Sequence, residues 1–174
     1  MPDYGDDVKE LFRSSVEYDQ HTGVFIWKHR QDCNATWNSR FAGKKAGVKS
    51  TSRYVTIRLN YKIYYLHRVA WMLVTGDWPR CEIDHINGDK SDNRFCNLRE
   101  ATRAQNARNK GVTAASKTGV SGVCFRKAKG KWDANITVMN KQVHLGRFDT
   151  MESAVNARKE AELHYYGRFS RQCK

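Results

Sequence analysis

No apolar run in this 174-residue chain approaches the ~20 residues that a membrane-spanning helix needs. The N-terminus is acidic rather than a basic leader, so neither a membrane span nor a secretion signal is expected, and the chain reads as cytoplasmic. None of the five cysteines (Cys33, Cys81, Cys96, Cys124, Cys173) stands in a C-x-x-C pair, and their number is odd. Neither a disulfide framework nor a standard zinc site follows from that pattern, and reduced thiols are the simpler reading. A zinc site built from Cys81, Cys96 and a histidine would need an uncommon spacing. Acid is missing altogether from residues 101–132, which nevertheless hold eight bases: Arg103, Arg108, Lys110, Lys117, Arg126, Lys127, Lys129 and Lys131. That run is the first candidate for contact with phosphates.

What is present is positive charge mixed with aromatic residues. The formal net charge is +13, alongside seven Phe, eight Tyr and five Trp. Disordered basic tails lack such aromatics, so the composition reads as a folded binder of nucleic acid. Residues 1–20 run against this trend, with six acids against Lys9 and Arg13. A soluble basic domain with no polyanion partner is the competing reading.

The pattern divides the chain at residues 1–80, 81–110, 111–118 and 119–174. Residues 17–27 read as strand, turn and strand, with Gly23 in the turn. Residues 31–52 are polar and rich in Gly, Ser and Lys, which predicts a loop. Val55, Ile57 and Leu59 alternate with Thr56 and Arg58 as in a half-buried strand, and a turn at residues 60–62 leads to a second strand through Tyr65. Leu66, Val69, Ala70 and Leu73 recur at helical spacing up to a stop at Gly76. Residues 82–85 form a short strand, 86–97 a turn-rich loop and 98–101 a return strand. Thr102 can cap a two-turn helix carrying Asn106. Residues 110–118 are small and aperiodic, as in a flexible linker.

The residues from Asp84 to Asn106 carry chemistry. Asp84 offers a carboxylate and Asn106 a neutral side-chain oxygen, both suited to Mg²⁺, which prefers oxygen ligands and keeps several waters. His85, with an ordinary pKa near ~6.5, can take a proton from water at neutral pH. Strand alternation sends adjacent side chains to opposite faces, so Asp84 and His85 must flank a bound phosphate or leave strict strand geometry. The duller reading makes the Asn-Gly and Asn-Arg steps mere turns and His85 a buried, satisfied histidine.

The run His67-Arg68, Asp84-His85-Ile86-Asn87-Gly88, Asp92-Asn93-Arg94, Asn97-Leu98-Arg99 and Asn106 resembles the HNH endonuclease family, in its free-standing and intron-encoded homing type from bacteriophage. The resemblance implies a strand–loop–strand–helix unit around one metal. It implies His85 as general base, Asp84 and Asn106 as metal ligands, and Asn97 as the residue that pins the loop and orients His85. Asn106 stands where many members have a metal-binding histidine, which favours Mg²⁺ or Mn²⁺ over zinc. Arg68 and Arg99 are candidates for phosphate contact, with a surface salt bridge as the alternative for each. His67 reads as a packing residue at a strand–helix junction or as an aide to the site.

Downstream, Val123 and Phe125, then Trp132, Ala134, Ile136 and Val138, then Val143 and Leu145 alternate with polar residues as in a three-stranded meander with one apolar face. A helix follows, capped by Asp149 or Thr150 and striped with Met151, Ala154, Val155, Ala157, Ala161 and Tyr165. Gly122-Val123, Gly130-Lys131-Trp132, Leu145-Gly146 and Phe148 are similar to an AP2 DNA-binding domain. The other face then presents Cys124, Arg126, Asn135, Thr137, Gln142 and His144, with Arg147 beside them, as donors and acceptors for base edges in a major groove. Lys127, Lys129 and Lys131 would serve phosphates. Cys124, Gln142 and His144 replace arginine and tryptophan readers of the plant transcription factors, so their target does not carry over.

These readings predict an α+β chain in which a ββα-metal nuclease unit with N-terminal hairpins precedes a three-stranded sheet with one helix. The expected function is Mg²⁺- or Mn²⁺-dependent hydrolysis of double-stranded DNA by a monomer that uses no small-molecule cofactor and no membrane, in host-cell cytoplasm if phage-encoded. A non-catalytic DNA-binding regulator and an RNA-directed protein are the rivals.

Overall fold

A computed structural model of the chain describes residues 4–109 and 118–170. The chain separates into two compact units, Met1–Arg103 and Ala104–Lys174. Residues 111–117 of the expected linker and the bases Lys110 and Lys117 lie outside the described residues, as does Cys173.

The first unit opens with helix α1 (Gly5–Ser15). The acids of the first twenty residues have a local role here: Asp6 and Asp7 sit in the first turn, where the helix dipole favours negative charge. Phe12 from this helix is fully buried. Strands β1 (Val16–Asp19) and β2 (Val24–Trp27) pair as the expected hairpin, turned by Gly23 at φ 72°. The stretch predicted as loop instead holds helix α2 (Ala35–Phe41) and the short strand β3 (Val48–Lys49). Polar and aromatic contacts rather than an apolar stripe hold α2, so its sequence shows no helical period. The Asn34 side chain accepts from Trp37 N at 2.8 Å, and the buried Asn38 side chain accepts from Arg30 N at 2.9 Å and donates to Arg30 O at 2.8 Å. Trp37 packs edge-on against Trp27.

Strands β4 (Val55–Leu59) and β5 (Lys62–Tyr65) join β3 in a sheet of order β3-β4-β5. Asn60 and Tyr61 both take positive φ, 46° and 62°, the tight-turn geometry that matches strand twist. Helix α3 (Leu66–Thr75) ends on left-handed Gly76. Strands β6 (Glu82–His85) and β7 (Leu98–Ala101) form an antiparallel pair, and helix α4 (Arg103–Asn109) follows. One apolar core spans α1, the hairpin, the sheet, α3 and β6–β7, from Phe12 and Phe25 through Leu66 and Met72 to Ile83 and Leu98. Each such buried side chain contributes roughly 1.5–3 kcal/mol. The hairpin, the sheet and helices α1 and α3 thus share one core with β6–β7.

In the second unit, strands β8 (Val123–Arg126), β9 (Lys131–Val138) and β10 (Lys141–Phe148) form an antiparallel sheet of order β10-β9-β8, and helix α5 (Met151–Tyr166) packs on it. A bulge between His144 and Gly146 shifts the register so that Arg147 lies on the uncovered face while Phe148, like Leu145, packs with Trp132 and Ala134. Thr150, not Asp149, caps α5 by accepting from Ser153 N, and Asp149 pairs with Lys131 at 2.9 Å. The buried stripe of α5 is Ala154, Arg158, Ala161 and Glu162, whereas Met151 and Tyr165 are exposed. Arg158 is tolerated inside because its Nε donates to Ser121 O at 2.7 Å and its Nη2 pairs with Glu162 at 3.1 Å.

Candidate active site

Strand β6 ends on Asp84 and His85, both 4 % exposed. Asp84 faces Arg99 across the ladder, and its Oδ2 accepts from Arg99 Nε at 2.9 Å and Nη2 at 2.7 Å. His85 meets other rings: His67 edge-on at 5.1 Å and Tyr54 at 6.0 Å between centroids. The two adjacent side chains thus have different surroundings, as strand alternation requires. Burial pushes the His85 imidazole below its ordinary value, while a side-chain hydrogen bond with Asn93 and the carboxylates of Asp84, Asp92 and Asp89 pull it back up. The net shift is downward, so the ring is neutral at pH 7.

Asn97 closes the loop between the strands. Its Oδ1 accepts from Asn87 N at 2.9 Å and its Nδ2 donates to Asp92 O at 2.9 Å, while Ile86 N donates to Asn97 O at 2.9 Å. Both ends of the loop are thereby tied to one buried amide. Asn87, Asp89 and Asp92 bond to backbone and side chains within the loop, and Arg94 holds Asp92 ionised below the usual carboxylate range.

The N-terminal hairpin braces this loop from outside, a role that no motif announced. Tyr18 Oη donates to Asn93 O at 2.7 Å, and Phe95 N donates to Gln20 O at 2.9 Å. A Cβ on Gly23 would stand 2.5 Å from Arg94 N and 2.7 Å from Asn93 C, so only glycine lets the turn approach so closely. The sequence signal was Gly23 between Tyr18 and Phe25, legible as a turn but not as a contact seventy residues away.

Neither arginine proposed for phosphate is an exposed cation. Arg68 is 8 % exposed, and its guanidinium donates to Pro79 O and Cys81 O at 3.4 Å, bracing the approach to β6. Arg99 is spent largely on Asp84. His67 is 7 % exposed, its Nδ1 has no hydrogen-bond partner among the described residues, and burial lowers its pKa to about 3. Asn106 stands on α4, in the second unit. Among the described residues no group of three His, Cys, Asp or Glu side chains could hold a metal. The set expected at this site is one carboxylate and one amide, with water and phosphate oxygens completing the shell, a pattern that suits Mg²⁺.

In the second unit, the uncovered sheet face carries Cys124, Arg126, Asp133, Asn135, Thr137, Gln142, His144 and Arg147 by register. Asp133 is central to it: it accepts from Arg126 Nε at 3.1 Å and Arg147 Nε at 2.9 Å, and the arginines hold its carboxyl below the usual range. His144 Nδ1 lies 3.0 Å from Asn135 Oδ1. Asp133 was legible only as a polar alternate of β9. Lys127 and Lys129 lie in the one-turn helix after β8, with Lys131 starting β9.

Residues 64–108 match the family model described as HNH endonuclease. Protein 3.8 of Escherichia phage T7 is 30 % identical over 121 residues, which cover 66 % of this chain and 98 % of that protein. Residues 64–108 are an HNH endonuclease domain, in a chain related to this phage protein. The matched HNH segment runs from β5 through α4 and takes in Asp84, His85, Asn97 and Asn106 together. The relative extends the similarity well beyond that segment, so what it shares with this chain includes more than the HNH segment.

Proposed function

We propose that this chain is a divalent-metal-dependent endonuclease that hydrolyses phosphodiester bonds of double-stranded DNA. The observation that carries the reading is a buried, neutral His85 that follows Asp84 at the end of β6, under a loop held by Asn97. A neutral imidazole at the strand end beneath a fixed loop is equipped to take the proton from an attacking water. Asp84 and Asn106 would hold Mg²⁺ or Mn²⁺ through oxygen, with Arg99 fixing the carboxylate. When bound, the cation offsets charge on the phosphate and on the departing 3′ oxygen. The products are a 5′-phosphate and a 3′-hydroxyl.

The sheet face of the second unit, AP2-like in sequence, serves as the recognition surface. Arg126, Asn135, Thr137, Gln142, His144 and Arg147 contact bases, and Lys129 and Lys131 contact phosphates. Asp133 supports this assignment, because it fixes two arginines at their Nε and leaves their outer nitrogens for a partner.

One observation favours a second reading, a DNA-binding protein without catalysis: Asp84 is already satisfied by Arg99. Supercoiled plasmid incubated with Mg²⁺ or Mn²⁺ separates the two. The nuclease reading requires nicked or linear product from the wild type and a loss of about 10²–10⁴ in rate for His85→Ala, with DNA binding retained. Plasmid left intact by the wild type in both metals supports the second reading, and competition by structured RNA as effective as duplex DNA contradicts the choice of substrate.

A further inference from the structure

Residues 33–76 hold no acid and eight bases. This acid-free stretch contains all of the β3-β4-β5 sheet, which presents one face to the core and one to solvent. Ile57, Leu59 and Tyr64 point inward. The outer face is not the polar surface that such a sheet ordinarily shows to water. By register, Val48, Thr56 and Tyr65 form one row across it, and Arg58 and Ile63 the next. Val48 is 73 % exposed, Ile63 62 % and Tyr65 44 %, and Tyr61 at the β4–β5 turn is 96 % exposed. Exposed apolar groups gathered on one sheet face mark an interaction surface.

Two further observations identify the occupant. Charge is the first: Lys44, Lys45, Lys49, Arg53, Arg58 and Lys62 are all exposed, and none of the six is in an ion pair among the described residues. Continuity is the second: the Tyr65 ring lies 5.6 Å from His67 and 5.4 Å from Tyr54, and both of those rings touch His85. Lys90 of the catalytic loop sits over the Tyr54 ring at 4.4 Å. Lys49 at the end of β3 lowers the pKa of Asp89 in that same loop. The face therefore runs without a break into the surroundings of the catalytic histidine.

We propose that the outer face of β3-β4-β5 is a duplex-DNA contact surface of the catalytic unit itself, seating the substrate beside His85 independently of the C-terminal sheet. The unpaired bases meet phosphates, and Ile63, Tyr65 and Tyr61 rest against sugars and base edges in a groove. This rests on the reading of the chain as a duplex-DNA nuclease. It adds that affinity is shared between two surfaces and that the catalytic unit holds its own segment of the substrate.

The test uses the full-length protein carrying Arg53→Gln, Arg58→Gln and Lys62→Gln together, with a second variant, Tyr61→Ala/Ile63→Thr. All five positions are exposed, and circular dichroism checks the fold. Binding to a linear duplex in EDTA is measured from 50 to 200 mM salt, and cleavage with Mg²⁺ in parallel. Each lost phosphate contact lowers the slope of log K against log salt by ~0.9, which is ~3.5-fold in affinity over that salt range. The triple variant is expected to lose about two to three units of slope and to raise KM roughly tenfold or more with kcat little changed. The apolar variant is expected to weaken binding without altering the slope. A triple variant with wild-type slope and KM overturns the proposal, as does a dimer in sedimentation that dissociates on Tyr61→Ala/Ile63→Thr, which would make the face a contact between copies. If the wild type binds but does not cut, the nuclease reading fails while the slope still decides this one.

Discussion

Arg99→Met probes the electrostatics of the site most sharply. Asp84 and Arg99 side chains are 5 % and 14 % exposed, and both guanidinium bonds fall on Oδ2. Methionine keeps the volume and stem packing but removes the cation. A carboxylate left buried without its partner costs about 3–5 kcal/mol, more than the net worth of the pair, because desolvation of Asp84 is then uncompensated. For a unit of about 100 residues that corresponds to roughly 15–30 °C in Tm. Asp84→Asn/Arg99→Met should recover much of the loss, since no charge is then stranded. A divalent metal bound at Asp84 as proposed would supply the missing positive charge, so saturating Mg²⁺ should raise the Tm of Arg99→Met at least as much as that of wild type. Occupancy at a hundred times Kd is itself worth ~2.7 kcal/mol. Thermal and urea unfolding in EDTA and in Mg²⁺ provide the readout. Arg99→Met within ~1 kcal/mol of wild type in EDTA, or a smaller gain from Mg²⁺ than wild type shows, refutes the reasoning.

Three other outcomes follow from the geometry. His67 is held neutral to about pH 3 in the folded chain, whereas in the unfolded chain it protonates near ~6.5. Between those values the unfolded state binds the extra proton, so stability should fall as pH drops through that window, by up to ~1.4 kcal/mol per pH unit, and His67→Phe should flatten the decline in acid titrations followed by fluorescence. Gly23→Ala places a Cβ against the backbone of Asn93 and Arg94 at a φ of 72°, so it should destabilise by about 2 kcal/mol or more and slow cleavage beyond what lost stability explains. Removal of residues 119–174 should weaken DNA binding and flatten its salt dependence while residual, poorly targeted cutting persists; unchanged affinity would refute the recognition role of that sheet.

The elements that could be read from sequence are those whose stability is local. The strands at Val55–Leu59 and Glu82–His85, the turn at Asn60 and Tyr61, and the helix stop at Gly76 show in alternation, turn chemistry and capping. Helix α2 did not show, because Asn38 and stacked aromatics hold it rather than a periodic apolar stripe. Helix α1 was obscured by its own acids, although Val8, Leu11 and Phe12 stand at helical spacing. At the proposed site, Asp84, His85 and Asn97 stand out in the sequence because the proposed chemistry calls for those residue types at that spacing. What Arg68, Arg99 and Asp133 do depends on long-range burial, and a window of sequence does not reveal whether an arginine faces water or a buried carboxylate. The bracing of the catalytic loop by Tyr18, Gln20 and Gly23 was hidden for the same reason.

Mn²⁺ binding followed by electron paramagnetic resonance, with wild type compared against Asp84→Asn and Asn106→Ala, tests the proposed centre most directly. One ion per chain, weakened at least tenfold by either substitution and left in place by His85→Ala, is the predicted result. Mn²⁺ held equally well by all four proteins, or by none, would contradict it.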